Sequence, residues 1–167
     1  TRNELYQIIQ TRGYMIRSET AVNKFREGYN CAQSVLFSFA DRLNISADMA
    51  LRIANGFGAG MGRKQEVCGA VSGGILVLNL LYGRGENDDK EKQEFTYSMV
   101  RDFIDAFESR FNTVICRSLL DGCKLLTPEG QERFKSENMI EKCHKYVYNS
   151  VSILEEIISK NDYPDSK

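Results

Sequence analysis

Proline is nearly absent: Pro128 and Pro164 are the only two in 167 residues. Proline punctuates loops and helix starts, so a long chain with so little of it points to helices. Histidine occurs once, as His144, which leaves no ground for a Ser-His-Asp arrangement. The five cysteines, Cys31, Cys68, Cys116, Cys123 and Cys143, include no C-x-x-C pair. Local zinc-ribbon, thioredoxin-like and ferredoxin spacings are therefore missing, and so is a covalent haem motif. Neither sign of charge dominates, with 22 basic against 23 acidic residues. No stripe of Lys and Arg interleaved with aromatics marks a nucleic-acid surface. The longest apolar run, Val71 to Tyr82, is broken by Ser72, Gly73, Gly74 and Asn79 and falls short of the roughly 20 residues of a spanning helix. It reads as a buried core helix, with no membrane insertion. The start "TRNELYQIIQ" shows no basic-then-apolar leader, so the expected location is cytoplasmic and the thiols are expected to be reduced.

What is present is helical periodicity. A hydrophobic fraction of 42% with 27% charged residues suits one globular domain over residues 1–160, with 161–167 expected to be a disordered tail. A polar-faced helix lies somewhere in Glu4 to Glu27. Asn30 caps a second with Val35, Leu36, Phe39 and Leu43 at helical intervals, and Ser46 caps a third. The apolar helix starts near Cys68. A long helix from about Asp88 to Phe111 carries Phe95, Met99, Phe103 and Phe107 on one face. "NTVICRSLLDG" and "TPEGQERF" read as short helices, the second capped by Thr127 with Pro128 in its first turn. The last, from about Met139 to Ser159, places Ile140, Cys143, Val147, Val151 and Leu154 on an inward stripe. No strand-length alternation and no internal repeat occur. The expected fold is an all-α bundle of about six to seven helices.

The stretch "GFGAGMGRKQEVCGAVSGG" crowds glycine around Cys68. It matches neither G-x-G-x-x-G nor a P-loop, and no strand leads into it, so a nucleotide site is not expected. Glycine permits positive φ and close backbone approach, and close approach is the stronger expectation here. Gly69 with Gly73, and Ala70 with Gly74, form two rows of small residues along a helix, which tight core packing alone explains equally well. The bare N–H groups of Gly58, Gly60, Gly62 and Gly69 are candidates to face a cofactor. Cys31 and Cys68 each stand at an expected helix start, Cys68 just after Arg63 and Lys64, a setting that favours the thiolate and makes these two the candidate catalytic thiols. Cys116 adjoins Arg117, and Cys143 lies on the inward stripe. Four helices each presenting one cysteine, Cys31, Cys68, Cys116 and Cys143, could hold a metal centre of zinc or iron and sulfur. The competing reading is that each cysteine is a small buried hydrophobe; Cys123, in a helix-ending turn, suits it best. His144 points about a quarter-turn from Cys143 and is expected at the surface.

The segments "GYNCAQSVL", "GFGAGMGRKQEVCGAVSGGILVLNLLYG", "CRSLL" and "CHKYV" together resemble the family of redox-active proteins labelled C_GCAxxG_C_C, over about Phe25 to Glu156. Cys68, Gly69, Ala70 and Gly73 match its C-G-A-x-x-G segment; Cys31, Cys116 and Cys143 match its other cysteines, and Cys123 lies outside the pattern. The resemblance implies a helical protein with a redox-active cysteine centre, similar to the non-haem part of split-Soret cytochromes, holding an iron–sulfur cluster that aerobic preparation can strip. It implies an electron carrier, redox sensor or oxidoreductase working with a redox partner protein. Two alternatives stay open: a metal-free thiol/disulfide oxidoreductase or sensor, and a structural zinc site in an interaction module. The glycine faces and the Phe-lined helix suit a homodimer interface as well as a core.

Overall fold

The computed structural model describes Glu4 and residues 16–161. Among these the chain is helical throughout: α1 (residues 16–26), α2 (Cys31–Ser38), α3 (Ala47–Ala54), a 3₁₀ turn (Asn55–Phe57), α4 (Gly58–Met61), α5 (Gly69–Tyr82), α6 (Lys90–Phe111), α7 (Cys116–Leu119), α8 (Pro128–Ser136) and α9 (Ile140–Lys160). The only extended pairing among them is one antiparallel bridge, Val67 with Ile115. No helix of the described residues is long and apolar enough to cross a membrane. The expected tail lies outside the described residues apart from Asn161, as does most of the first helix before residue 16.

The helix starts follow side-chain chemistry. Asn30 accepts from the Gln33 N–H while the Gln33 side chain accepts from the Asn30 N–H, a reciprocal capping box. Ser46, Asp89 and Thr127 cap α3, α6 and α8, and Pro128 occupies the first turn of α8.

α5 is the hub, packed on α2, α6 and α9. A Cβ on Gly73 would lie 2.8 Å from the Ala32 carbonyl oxygen, and one on Gly69 would lie 3.1 Å from the Ala32 nitrogen, so this row lets α2 lie almost on the α5 backbone. Gly74 faces α6: a Cβ there would lie 2.3 Å from Cζ of Phe103, which is fully buried with Phe107. From the third side Ser150 of α9 donates to the Ala70 carbonyl at 2.7 Å. Gly74→Ala is expected to cost about 1–3 kcal/mol through overpacking against a ring that has no room to turn. An unfolding free energy from urea denaturation within about 0.5 kcal/mol of the parent would show instead that Phe103 yields.

Two apolar stripes are narrower than their spacing suggests. Ile140 is exposed, because α9 begins there and its first residue lies beyond the core. Leu80 is exposed too, on the side of the last turn of α5 away from the core that Leu81 and Tyr82 pack against.

Candidate functional site

The five cysteines are free thiols in the structure. Four of them, Cys31, Cys68, Cys116 and Cys143, line a single apolar cavity of about 130 Å³, with Ala59, Gly69 and aliphatic and aromatic side chains from α1, α7, α8 and α9 completing the wall. Each of the four lies at a helix start: Cys31 opens α2, Cys68 is the residue before α5, Cys116 opens α7, and Cys143 is in the first turn of α9.

Local backbone pairing brings these starts together. The Cys68 N–H donates to the Val114 carbonyl and the Cys116 N–H to the Glu66 carbonyl, both at 2.7 Å, around the Val67–Ile115 bridge. This pairing sets Cys68 and Cys116 side by side. Gly69 then admits Cys31, since a Cβ at 69 would lie 3.1 Å from the Cys31 Cβ. α9 is docked by the Tyr146 hydroxyl, which donates to the Leu119 carbonyl at 2.8 Å, and by the Lys142–Asp121 ion pair.

The alternating glycines build an unusual turn. Ala59, Gly60, Met61, Gly62 and Arg63 all have φ between 51° and 67°, a full turn of left-handed backbone. Left-handed helix costs roughly 1–2 kcal/mol per residue with a Cβ, so glycine at alternate positions halves the burden. Positive φ therefore explains this pattern at least as much as the close approach expected from sequence. Both apply at Gly60, where a Cβ would lie 2.6 Å from the Gln65 Cα and 2.8 Å from the Cys116 Cβ. Gly62 has open space around it, and Gly58 abuts the Asn30 side chain. Of the four glycines singled out in the sequence, Gly69 lines the cavity, whereas Gly58, Gly60 and Gly62 stand behind it, with Ala59 taking their place in the wall.

The turn is tied down by Gln65, a residue that sequence reasoning missed. Its side chain is buried, donates to the Cys123 carbonyl at 2.7 Å and accepts from the Leu125 N–H at 2.9 Å. It also draws the Cys116 thiol pKa downward. A glutamine in a polar loop carries no sign of burial; only its place between two loops distant in sequence creates it.

Electrostatics reverse one sequence expectation. Burial pushes the Cys68 thiol up to about 12, against the downward pull of the Ala70 and Val71 amides at the start of α5. Burial likewise pushes Cys116 up to about 11. Arg63 and Lys64 are exposed and do not offset this. Interaction between the Cys31 and Cys143 thiols raises Cys31 well above its ordinary value, with burial adding to the rise, and lowers Cys143. The cavity is thus a set of buried thiols in which packing outweighs the helix starts at Cys68 and Cys116.

His144 is not a surface residue. Its side chain is 12% exposed, packs edge-on against Phe25 with centroids 5.3 Å apart, and neither ring nitrogen finds a well-formed hydrogen bond, although Glu141 lies 3.2 Å from Nδ1. It does not line the cavity. Cys123 is buried beside the cavity and donates its thiol to the Gly130 carbonyl at 3.1 Å, a packing role. Among the described residues, no three His, Cys, Asp or Glu side chains converge closely enough to hold one metal ion.

The family described as "Putative redox-active protein (C_GCAxxG_C_C)" matches residues 29–157. No curated protein and no solved structure matches this chain. The matched span runs from just before Cys31 to the penultimate turn of α9 and contains every cysteine of the cavity wall, so the chain belongs to the C_GCAxxG_C_C family of redox-active proteins.

Proposed function

We propose that the cysteine cavity holds an iron–sulfur cluster, ligated by Cys31, Cys68, Cys116 and Cys143, and that the protein carries electrons or senses redox state through it. The observation that carries this reading is the wall itself: four thiols, from four helix starts, around one apolar cavity. The donor set fits. All-thiolate ligation is what such clusters take, and the wall offers neither carboxylate nor imidazole to compete. The thiols line different sides of one cavity, so a group placed there could be held by all four. Raised thiol pKa values are consistent with ligands whose protons leave when metal arrives. When bound, the group would supply one-electron chemistry. The residues in hand would provide thiolate ligands, exclude water through Leu119, Leu120 and Phe134, and present the amides of Ala70 and Val71 near the Cys68 sulfur.

The experiment is anaerobic reconstitution with iron and sulfide, followed by visible absorbance and assays of iron and acid-labile sulfide per chain. Both elements and a brown colour are expected in the parent and in Cys123→Ala, and both are expected to be lost in Cys68→Ser. A colourless protein with no bound iron after strictly anaerobic handling would overturn the reading.

One observation favours a second reading, a reversible disulfide without metal: Cys31 and Cys143 face the same cavity, and interaction between their thiols raises the one and lowers the other. In that case the S–S bond of a disulfide oxidant would break to two thiols, taking two electrons and two protons from this pair as one S–S bond forms between Cys31 and Cys143. Iron-free protein whose free thiols fall by two on mild oxidation, with Cys31 and Cys143 linked in the peptide map, would establish it.

A further inference from the structure

Two loops line the cavity on their inner side and carry cations on their outer side. The loop leading into α5 bears Arg63 and Lys64; α7 and the turn after it bear Arg117 and Lys124; all four are exposed. These loops are one surface, because hydrogen bonds join them. Gln65 bridges to residues 123 and 125 through its side chain, and its carbonyl accepts the Arg117 N–H at 3.2 Å.

Among the described residues, none of the four cations is drawn into an ion pair, whereas the neighbouring Lys142 and Arg133 are held by Asp121 and Glu137. Asp121 being occupied, Glu66 is the one unengaged acid of these loops. The excess is local, since the whole chain carries a net charge of −1. Two large apolar side chains are exposed in the same loops, Met61 at 41% and Leu126 at 62%. Exposed apolar anchors among free charges of one sign are the make-up of a transient protein interface. Neither loop carries an aromatic side chain on which a nucleic-acid base could stack.

We propose that this face, formed by Arg63, Lys64, Arg117 and Lys124 around Met61 and Leu126, docks the acidic surface of a second protein, an electron carrier. Acidic charge on the partner follows from the cations alone. That it is an electron carrier rests on the redox reading above, because the same loops supply Cys68 and Cys116 to the cavity wall.

The test is a binding titration of the purified full chain with two acidic probes, a [2Fe–2S] ferredoxin and a flavodoxin. A basic c-type cytochrome and a short single-stranded oligonucleotide serve as comparisons. At least one acidic probe is expected to bind at about 20 mM salt and to weaken about tenfold or more by about 300 mM, while the cytochrome does not bind. Arg63→Glu with Lys64→Glu, and Arg117→Glu with Lys124→Glu, are each expected to weaken binding about tenfold. Leu126→Ser should weaken it without changing the salt slope, and Lys90→Glu on distant α6 should change nothing. Circular dichroism checks that each variant is folded. Failure of both acidic probes at low salt would overturn the proposal, as would binding indifferent to the reversed pairs. Tighter binding of the oligonucleotide, lost in the same variants, would reassign the face to nucleic acid. Binding does not require iron, so a protein that docks but takes up no iron on anaerobic reconstitution would fail the cluster reading alone, and a brown protein that binds neither probe would fail this one alone.

Discussion

Gly60→Ala is expected to destabilise the protein by about 3 kcal/mol or more and, on the cluster reading proposed above, to abolish iron uptake. Two separate costs coincide at this residue. Its φ of +65° lies in the left-handed region, where a Cβ brings strain, and the added carbon would meet backbone, 2.6 Å from the Gln65 Cα and 2.7 Å from the Glu66 nitrogen. Neither atom can move alone. Gln65 is fixed through both the nitrogen and the oxygen of its side-chain amide, and the carbonyl of Glu66 holds the Cys116 N–H. Relief would therefore displace Cys116 and spoil the cavity wall. Gly62→Ala is the control: its φ is +60° but nothing lies within 4 Å of a Cβ there, so only the strain remains, about 1 kcal/mol. Urea denaturation of both variants, with iron content after anaerobic reconstitution, separates the two costs. Equal losses at the two positions would mean that the contact with Gln65 and Glu66 carries no weight.

The second large effect lies away from the cysteines. Arg17→Ala is expected to cost about 3 kcal/mol at pH 7, and less as the solution is acidified. Arg17 Nε lies 2.6 Å from Oε1 of Glu155, whose side chain is only 5% exposed. Its Nη1 reaches Asp41 at 2.6 Å and the Ser38 carbonyl, and its guanidinium lies over Phe39. Burial already lifts the Glu155 carboxyl above the ordinary range, against the pull of Arg17. Without Arg17 that pKa rises further. A carboxyl whose pKa is higher in the folded than in the unfolded state resists ionisation on folding, so the penalty is full above the folded value and fades as pH falls through it. Asp41, held low by Arg17, titrates below that window. Denaturant curves at about pH 7 and pH 5 should show the deficit shrinking, and Glu155→Gln in the Arg17→Ala background should recover part of it at pH 7. A deficit of the same size at both pH values would mean that lost packing on Phe39, not the stranded carboxylate, is responsible.

Much of the framework is legible in local chemistry. Asn30, Ser46 and Thr127 cap the helices they were expected to cap, and the small rows of α5 face α2 and α6. These signals span one or two turns, so neighbouring residues suffice to read them. The left-handed turn was less legible, because Ala59, Met61 and Arg63 take positive φ against their own preference and only the tertiary contacts of residues 58–66 impose it. The surface reading of His144 failed for a similar reason: Phe25, far away in sequence, covers its ring. The thiol acidities were misjudged because a helix start and nearby basic residues can be read from sequence, whereas burial from several sides cannot. The wall of Cys31, Cys68, Cys116 and Cys143 was suggested by their placement on separate helices; the open spacing between them emerges only from the packed fold.

That spacing along the chain also has a consequence for biogenesis. The wall draws on α2, α5, α7 and α9, so it cannot exist until Cys143 has left the ribosome. At a synthesis rate of ~5–20 residues/s, Cys143 emerges on the order of ten seconds after Cys31. Throughout that interval the earlier thiols are unpartnered and open to oxidants or stray metal. The cavity therefore takes its final form only when α9 docks and brings Cys143 to the other three.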